Sequence, residues 1–226
     1  MTISGAIFDL DGTLIDSMGI YDEVGGACLE WLGLNENSEL KKLFFTKTTI
    51  ELSHVFREKY GINKTESEIV DGINDVLFDF YANKIKKKEG ILEFLELLKS
   101  KNVKMALLTA SDRKVVFPCL KRNGLLEYFY EFVFCSEYNT SKHEGDIFLF
   151  TMNLLGSRKE ETIVFEDALY AIRSARKIGL KTCGIEDEWC SKDKNKIVEY
   201  SDFYGKNWAE IKGIFDGFRW ETEKNY

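Results

Sequence analysis

The sequence predicts an α/β protein, a parallel sheet covered by helices on both faces, with an all-helical block inserted after the first strand. Three observations carry this. From residue 91 onward, short apolar runs alternate with segments of helical period, the pattern of right-handed βαβ units. Between 16 and 83 the apolar residues recur only at three- and four-residue intervals, so no strand is expected there. The apolar run at 3–8 stands alone and can find neighbours only among the later strands. The expected organisation is therefore a core of residues 1–15 and 87–226 around a helical domain of residues 16–86.

Residues 3–8 read as a short buried strand that ends at Asp9-Leu10-Asp11-Gly12-Thr13, with Gly12 suited to the tight turn. Alternate strand residues face the same side, so the carboxylates of Asp9 and Asp11 can converge. They would do so outside the carboxyl end of a strand, where open parallel sheets bind ligands. Ile20, Val24, Cys28 and Leu32 give one apolar helical face over 17–32, stopped by Gly33. Leu40, Leu43 and Phe44 suggest a second helix, and 50–60 a third, closed by Gly61. Thr65-x-x-Glu68 has the form of a capping box ahead of Ile69, Ile73 and Phe80. Lys84 to Glu89, with four lysines, reads as a solvated hinge. Helices are then expected at 91–100, 112–122, 146–155 and 169–178, and strands at 103–108, 132–135, 162–165 and 181–185. Phe203-Tyr204 suggests an edge strand, and Asn207-x-x-Glu210 opens a final helix. Phe218, Trp220 and Tyr226 are expected to pack over the core.

Hydrophobic residues make up 44% of the 226 and charged residues 31%, enough to bury a sizeable core. A net charge of −7 argues against nucleic acid or an anionic membrane as partner. The five cysteines form no CxxC pair and are odd in number, which points to free thiols in a reducing cytoplasm. No early basic-then-apolar segment resembles a secretion signal, and no apolar run reaches the roughly 20 residues of a membrane span.

Three later strand ends carry polar residues: Thr109 with Ser111, Lys142, and Glu166 with Asp167. In a parallel sheet all of them share one edge with Asp9 and Asp11. Two aspartates and a third acidic position suit a hard divalent cation such as Mg²⁺, which prefers oxygen ligands and often shares its site with phosphate. Thr109 offers a hydroxyl and neighbouring N–H groups to a phosphate oxygen, and Lys142 a fixed positive charge. Taken singly, each has an ordinary reading. Thr109 could cap a helix, Lys142 could be a surface lysine, and Glu166-Asp167 could simply precede a helix N-terminus. Their common edge makes them a set. Asp-x-Asp-Gly-Thr itself is expected by chance about once per thousand chains of this length.

Asp9-Leu10-Asp11-Gly12-Thr13-Leu14-Ile15-Asp16-Ser17, Thr109-Ala110-Ser111, Lys142 and Phe165-Glu166-Asp167 resemble motifs one to four of the haloacid dehalogenase superfamily. The helical insertion resembles the cap of its β-phosphoglucomutase and phosphoglycolate phosphatase branch. The resemblance implies a Rossmann-like core and a Mg²⁺-dependent phosphatase acting on a small phosphomonoester, a sugar phosphate or phosphoglycolate-like acid. Asp9 would form an aspartyl phosphate, and Asp11 would serve as general acid and base. Thr109, Ala110, Ser111 and Lys142 would hold the phosphoryl group. Asp9, Asp167 and the Asp11 carbonyl would hold Mg²⁺, with Glu166 beside them. The expected partner is a small phosphorylated metabolite, and the expected state a monomer or weak homodimer.

The departures fall where specificity is set. The usual Lys-Pro-x-Pro-Asp run is here Lys142-His143-Glu144-Gly145-Asp146, and the small residues after motif four become Ala168, Leu169 and Tyr170. Where the sugar-phosphate mutases carry a cap histidine, this chain aligns Tyr21; their substrate-loop glycine and arginine align with Lys47 and Ile50. That favours hydrolysis over the alternative, a phosphomutase. Thr46, Lys47, Thr48 and Thr49, with Tyr21, are candidate substrate contacts, whereas His54 and His143 read as structural or exposed. A non-catalytic phosphometabolite-binding protein is the reading from another class, but its signature would be loss of Asp9, Asp11 or Lys142, and all three are present.

Overall fold

A computed structural model describes residues 2–47 and 49–218, without the side chains of Tyr21, Asp22, Phe45 and Thr46. Thr48, Trp220 and Tyr226 thus lie outside the described residues. The chain divides into two compact units, one of residues 1–16, 86–113 and 123–226, the other of 17–85 and 114–122. The segment 114–122, read from the sequence as part of the core, is grouped with the helical unit.

In the helical unit, α1 (Tyr21–Trp31), α2 (Ser38–Thr46), α3 (Thr49–Tyr60) and α4 (Glu66–Asp79) surround one cluster of Val24, Cys28, Leu52, Phe56, Ile69 and Ile73. Asn37 caps α2, its Oδ1 accepting from Glu39 N at 2.8 Å. Thr65 and Glu68 form the expected capping box. A π turn at Phe80–Lys84 ends the block.

The other unit is one six-stranded sheet, every adjacent pair parallel, in the order β3-β2-β1-β4-β5-β6. Its strands are β1 (Gly5–Phe8), β2 (Lys104–Thr109), β3 (Glu131–Phe134), β4 (Thr162–Glu166), β5 (Lys181–Ile185) and β6 (Phe203–Gly205). The helices of this unit are α5 (Ile91–Ser100), α7 (Asp146–Leu155), α8 (Leu169–Lys177), α9 (Lys194–Tyr200) and α10 (Trp208–Asp216), while α6 (Arg113–Asn123) falls almost wholly in the helical unit. Because β1 is paired on both edges, all four of its residues are buried, and its sequence is accordingly apolar throughout. On one face Ile7, Ala106, Leu108 and Val164 pack with Ile147, Phe148 and Ala171 of α7 and α8. On the other, Phe8 stacks on Phe165 with centroids 4.6 Å apart, and Phe94 of α5 meets Trp208 and Phe215 of α10 at 5.0 and 5.3 Å. Phe218 closes this aromatic layer, 4.8 Å from Phe215.

The lysine-rich segment is more ordered than a solvated hinge. Ile15 and Lys87 form an antiparallel bridge, Asp16 N donates to Lys86 O, and Lys88 N donates to Leu14 O, both at 2.9 Å. Lys88 Nζ donates to Asp187 Oδ2 at 2.8 Å, and Ile85 is buried. Charged side chains conceal this, because the ladder is made by backbone groups that any sequence supplies. No described helix is long and apolar enough to cross a membrane. None of the five cysteines is in a disulfide, and four of them are buried.

Candidate active site

The register of the central strands assembles the site. Phe8 lies between Leu107 and Phe165, so Asp9 begins where the sheet ends, and its N–H still donates to Phe165 O at 3.0 Å. Thr109 and Glu166 occupy the last positions of the flanking strands. After β3 the chain turns through Ser141–Glu144, where Glu144 N donates to Ser141 O at 3.0 Å, and brings Lys142 back under the edge. Asp9, Thr109, Lys142, Glu166 and Asp167 are all buried there.

Lys142 Nζ donates to Asp9 Oδ1 and, at 2.9 Å, to Glu166 Oε2. Ser111 Oγ donates to Asp11 Oδ2 at 2.6 Å, and Ser111 N donates to Thr109 Oγ1 at 3.0 Å. Thr109 thus spends an acceptor lone pair on the turn and keeps its hydroxyl proton to give. Ala110 lies exposed between them.

One oxygen each of Asp9, Glu166 and Asp167 lie within 4.8 Å of one another. Burial, followed by the charges of Glu166 and Asp11, pushes the Asp9 carboxyl up to about 7. Glu166 is pushed up to about 7 by burial and then by Asp167. Asp167 also reaches about 7, through burial and then the charges of Asp9 and Asp187. Burial disfavours the ammonium of Lys142, yet Asp9 and Glu166 hold it above its ordinary value. Were all three carboxylates and the ammonium ionised, two negative charges would be left uncompensated in a buried site, which is why the carboxyls are pushed up. Asp9 Oδ2 is buried without a hydrogen-bond partner. A divalent cation would balance those charges and occupy that lone pair, so the donor set fits a hard metal.

Several contacts around this cluster were not foreseen. Thr13 Oγ1 donates to Asp167 Oδ1 at 3.3 Å, and the Cys190 thiol donates to Asp167 Oδ2 at 3.4 Å. Cys190 is held by a 3-10 turn at Glu188–Asp193, capped by Asp187, which accepts from Trp189 N at 3.0 Å and from Lys88. Nothing local in the sequence marks this chain of contacts.

Among the candidate substrate residues of the helical unit, the side chains of Tyr21 and Thr46, and all of Thr48, are outside the described residues. Lys47 closes α2, its N–H donating to Leu43 O at 3.0 Å, and Thr49 begins α3. Ile50 is exposed, and His54 Nε2 lies 3.5 Å from Glu66 Oε2. His143 is exposed and its ring stacks on Tyr170.

A family model described as haloacid dehalogenase-like hydrolase matches residues 6–185. A curated relative, the phosphorylated carbohydrates phosphatase of Thermotoga maritima, is 25% identical over 179 residues, spanning 79% of this chain and 83% of that protein. Among solved structures, CbbY from Rhodobacter sphaeroides in complex with phosphate aligns with a TM-score of 0.73 and 18% identity, covering 93% of this chain and 96% of that one. A β-phosphoglucomutase from Clostridium difficile aligns with a TM-score of 0.70 and 17% identity, covering 95% and 96%. At these identities the structural likeness is one of fold.

Proposed function

Since the chain belongs to the haloacid dehalogenase-like hydrolase family, we propose that it is a Mg²⁺-dependent phosphatase of small phosphomonoesters, working through an aspartyl phosphate. The observation that carries this is Asp9: buried at the sheet edge, Oδ1 paired with Lys142, Oδ2 buried without a hydrogen-bond partner, and one carboxylate oxygen within 4.8 Å of oxygens of Glu166 and Asp167. An oxygen of Asp9 attacks phosphorus while the bond to the leaving oxygen breaks, and Asp11 delivers the proton that oxygen needs. Asp11 then takes a proton from water, the hydroxide attacks phosphorus, and the Asp9–phosphorus bond breaks to release phosphate. Ser111 orients Asp11 for both transfers through its hydroxyl. Thr109 and Lys142 hold the transferring group, the first by hydrogen bond and the second by charge. When bound by Asp9, Glu166, Asp167 and the Asp11 carbonyl, Mg²⁺ supplies positive charge to the phosphoryl oxygens and relieves the repulsion among the carboxylates.

A sugar phosphate is the preferred substrate class, supported by the name of the Thermotoga maritima relative. The test is a panel of phosphorylated sugars and short phosphorylated acids, assayed for free phosphate with Mg²⁺ and with chelator. Phosphate release that the chelator abolishes is expected. Binding without turnover across the panel, or an isomerised hexose phosphate without free phosphate, would overturn the proposal.

A further inference from the structure

Two departures from the family pattern meet in space. The turn that delivers Lys142 lacks both prolines, and the start of α8 carries Tyr170 where small residues are usual. The ring of His143 stacks on that of Tyr170, with centroids 4.2 Å apart and planes 21° from parallel. One helical turn further, Ser174 Oγ lies 3.0 Å from the main-chain carbonyls of both His143 and Tyr170, so its one proton is shared between the turn and its own helix. One turn beyond that, a Cβ on Gly145 would fall 2.5 Å from Ile178 Cγ2 and 3.3 Å from Ser174 O. Tyr170, Ser174 and Ile178 are spaced at four residues, so they form one row along α8 and its end. The turn lies along that row, with Gly145 permitting the close approach and His143 anchoring the end next to Lys142.

A proline holds a loop by restricting its backbone. Here tertiary contact does so instead: an aromatic stack, a hydrogen bond and a close backbone approach, all to one helix. That helix starts just after Asp167, so the turn carrying Lys142 and the carboxylates facing it rest on a shared support. We infer that the His143–Tyr170 stack is the positioning device for Lys142, taking the place of the missing prolines. The inference rests on the phosphatase reading for its kinetic consequence, but its structural consequence stands apart.

The test uses the full chain with Tyr170→Leu, which fills the volume without a ring face, and His143→Ala, which alters only an exposed residue. Tyr170→Phe, keeping the ring, is the conservative control. Lysine acetylation by an activated acetate ester, read peptide by peptide by mass spectrometry, reports how well Lys142 is buried. In the wild type Lys142 should resist acetylation while exposed Lys206 reacts. In Tyr170→Leu and His143→Ala, Lys142 should label several-fold faster with Lys206 unchanged, and Tyr170→Phe should match the wild type. Turnover of the best substrate from the panel should fall in the first two variants, on the order of tenfold to a hundredfold in kcat, because a misplaced catalytic group costs that much. Unchanged protection of Lys142 in both variants overturns the inference, as does equal loosening in Tyr170→Phe. A wild type that releases no phosphate would defeat the phosphatase reading, and the acetylation rates would still decide the role of the stack.

Discussion

Asp9 carries little information by itself; its significance lies in what the sheet edge puts beside it. Asp9→Asn keeps the size of the side chain and an oxygen that can accept from Lys142, but removes the carboxylate charge that the proposed attack needs. Phosphate release is expected to fall by at least about a thousandfold, with the melting transition retained, as followed by steady-state kinetics and thermal unfolding. Near wild-type turnover would remove Asp9 as the attacking group. Asp9, Asp11, Thr109, Ser111, Lys142, Glu166 and Asp167 were legible in the sequence because each sits at a predicted strand end, and a parallel sheet sends all such ends to one edge. Thr13 and Cys190 were not legible as neighbours of Asp167, nor Lys88 as the partner of Asp187. Their contacts join residues far apart in the chain and depend on register and loop path, which no spacing rule encodes.

Among the elements, α10 supports the turn after Asp11 while contributing no candidate site residue. Asn207 caps it, Oδ1 accepting from Glu210 N at 2.9 Å, and buried Trp208 donates its indole N–H to Thr13 O at 3.0 Å. The helix thereby ties down the turn that follows Asp11. Trp208→Phe leaves that buried carbonyl unsatisfied and shrinks the ring, so a loss of roughly 1–3 kcal/mol in unfolding free energy is expected, measured by denaturant titration. A kcat lowered more than KM is raised would show that the turn has moved. The helices and strands with clear periodicity were readable, and so was the cap of α10. The stretch Glu188–Asp193 and α9 were not, because a run rich in Lys, Asp and Glu has no apolar period to detect. What organises it is Asp187, bonded at once to Trp189 N and Lys88. The lysine-rich segment before α5 misled for the same reason, since composition is silent about backbone pairing.

For the whole molecule, the proposed metal site at the carboxylate cluster would link metal binding to stability. A cation that binds the folded protein and not the unfolded chain stabilises it by about 2.7 kcal/mol when present at a hundred times its Kd. Mg²⁺ is therefore expected to raise the melting temperature of the wild type and chelator to reverse this, with the response lost in Asp167→Asn. An unaltered response in that variant would place the metal elsewhere. The parallel architecture and the helical insertion were legible because alternation is a long-range pattern that survives local ambiguity, whereas the order of the six strands comes from the structure alone. That same placement of β1 bears on how the protein reaches its fold. Gly5 pairs with Lys104 on one side and Thr162 on the other, so the strand that leads to Asp9 leaves the ribosome long before either partner exists. Closing such long loops is slow, and an unpaired apolar strand is prone to stick to other chains in the meantime. Asp9, made well before both partner strands, thus reaches the assembled sheet edge only after β4 has been synthesised.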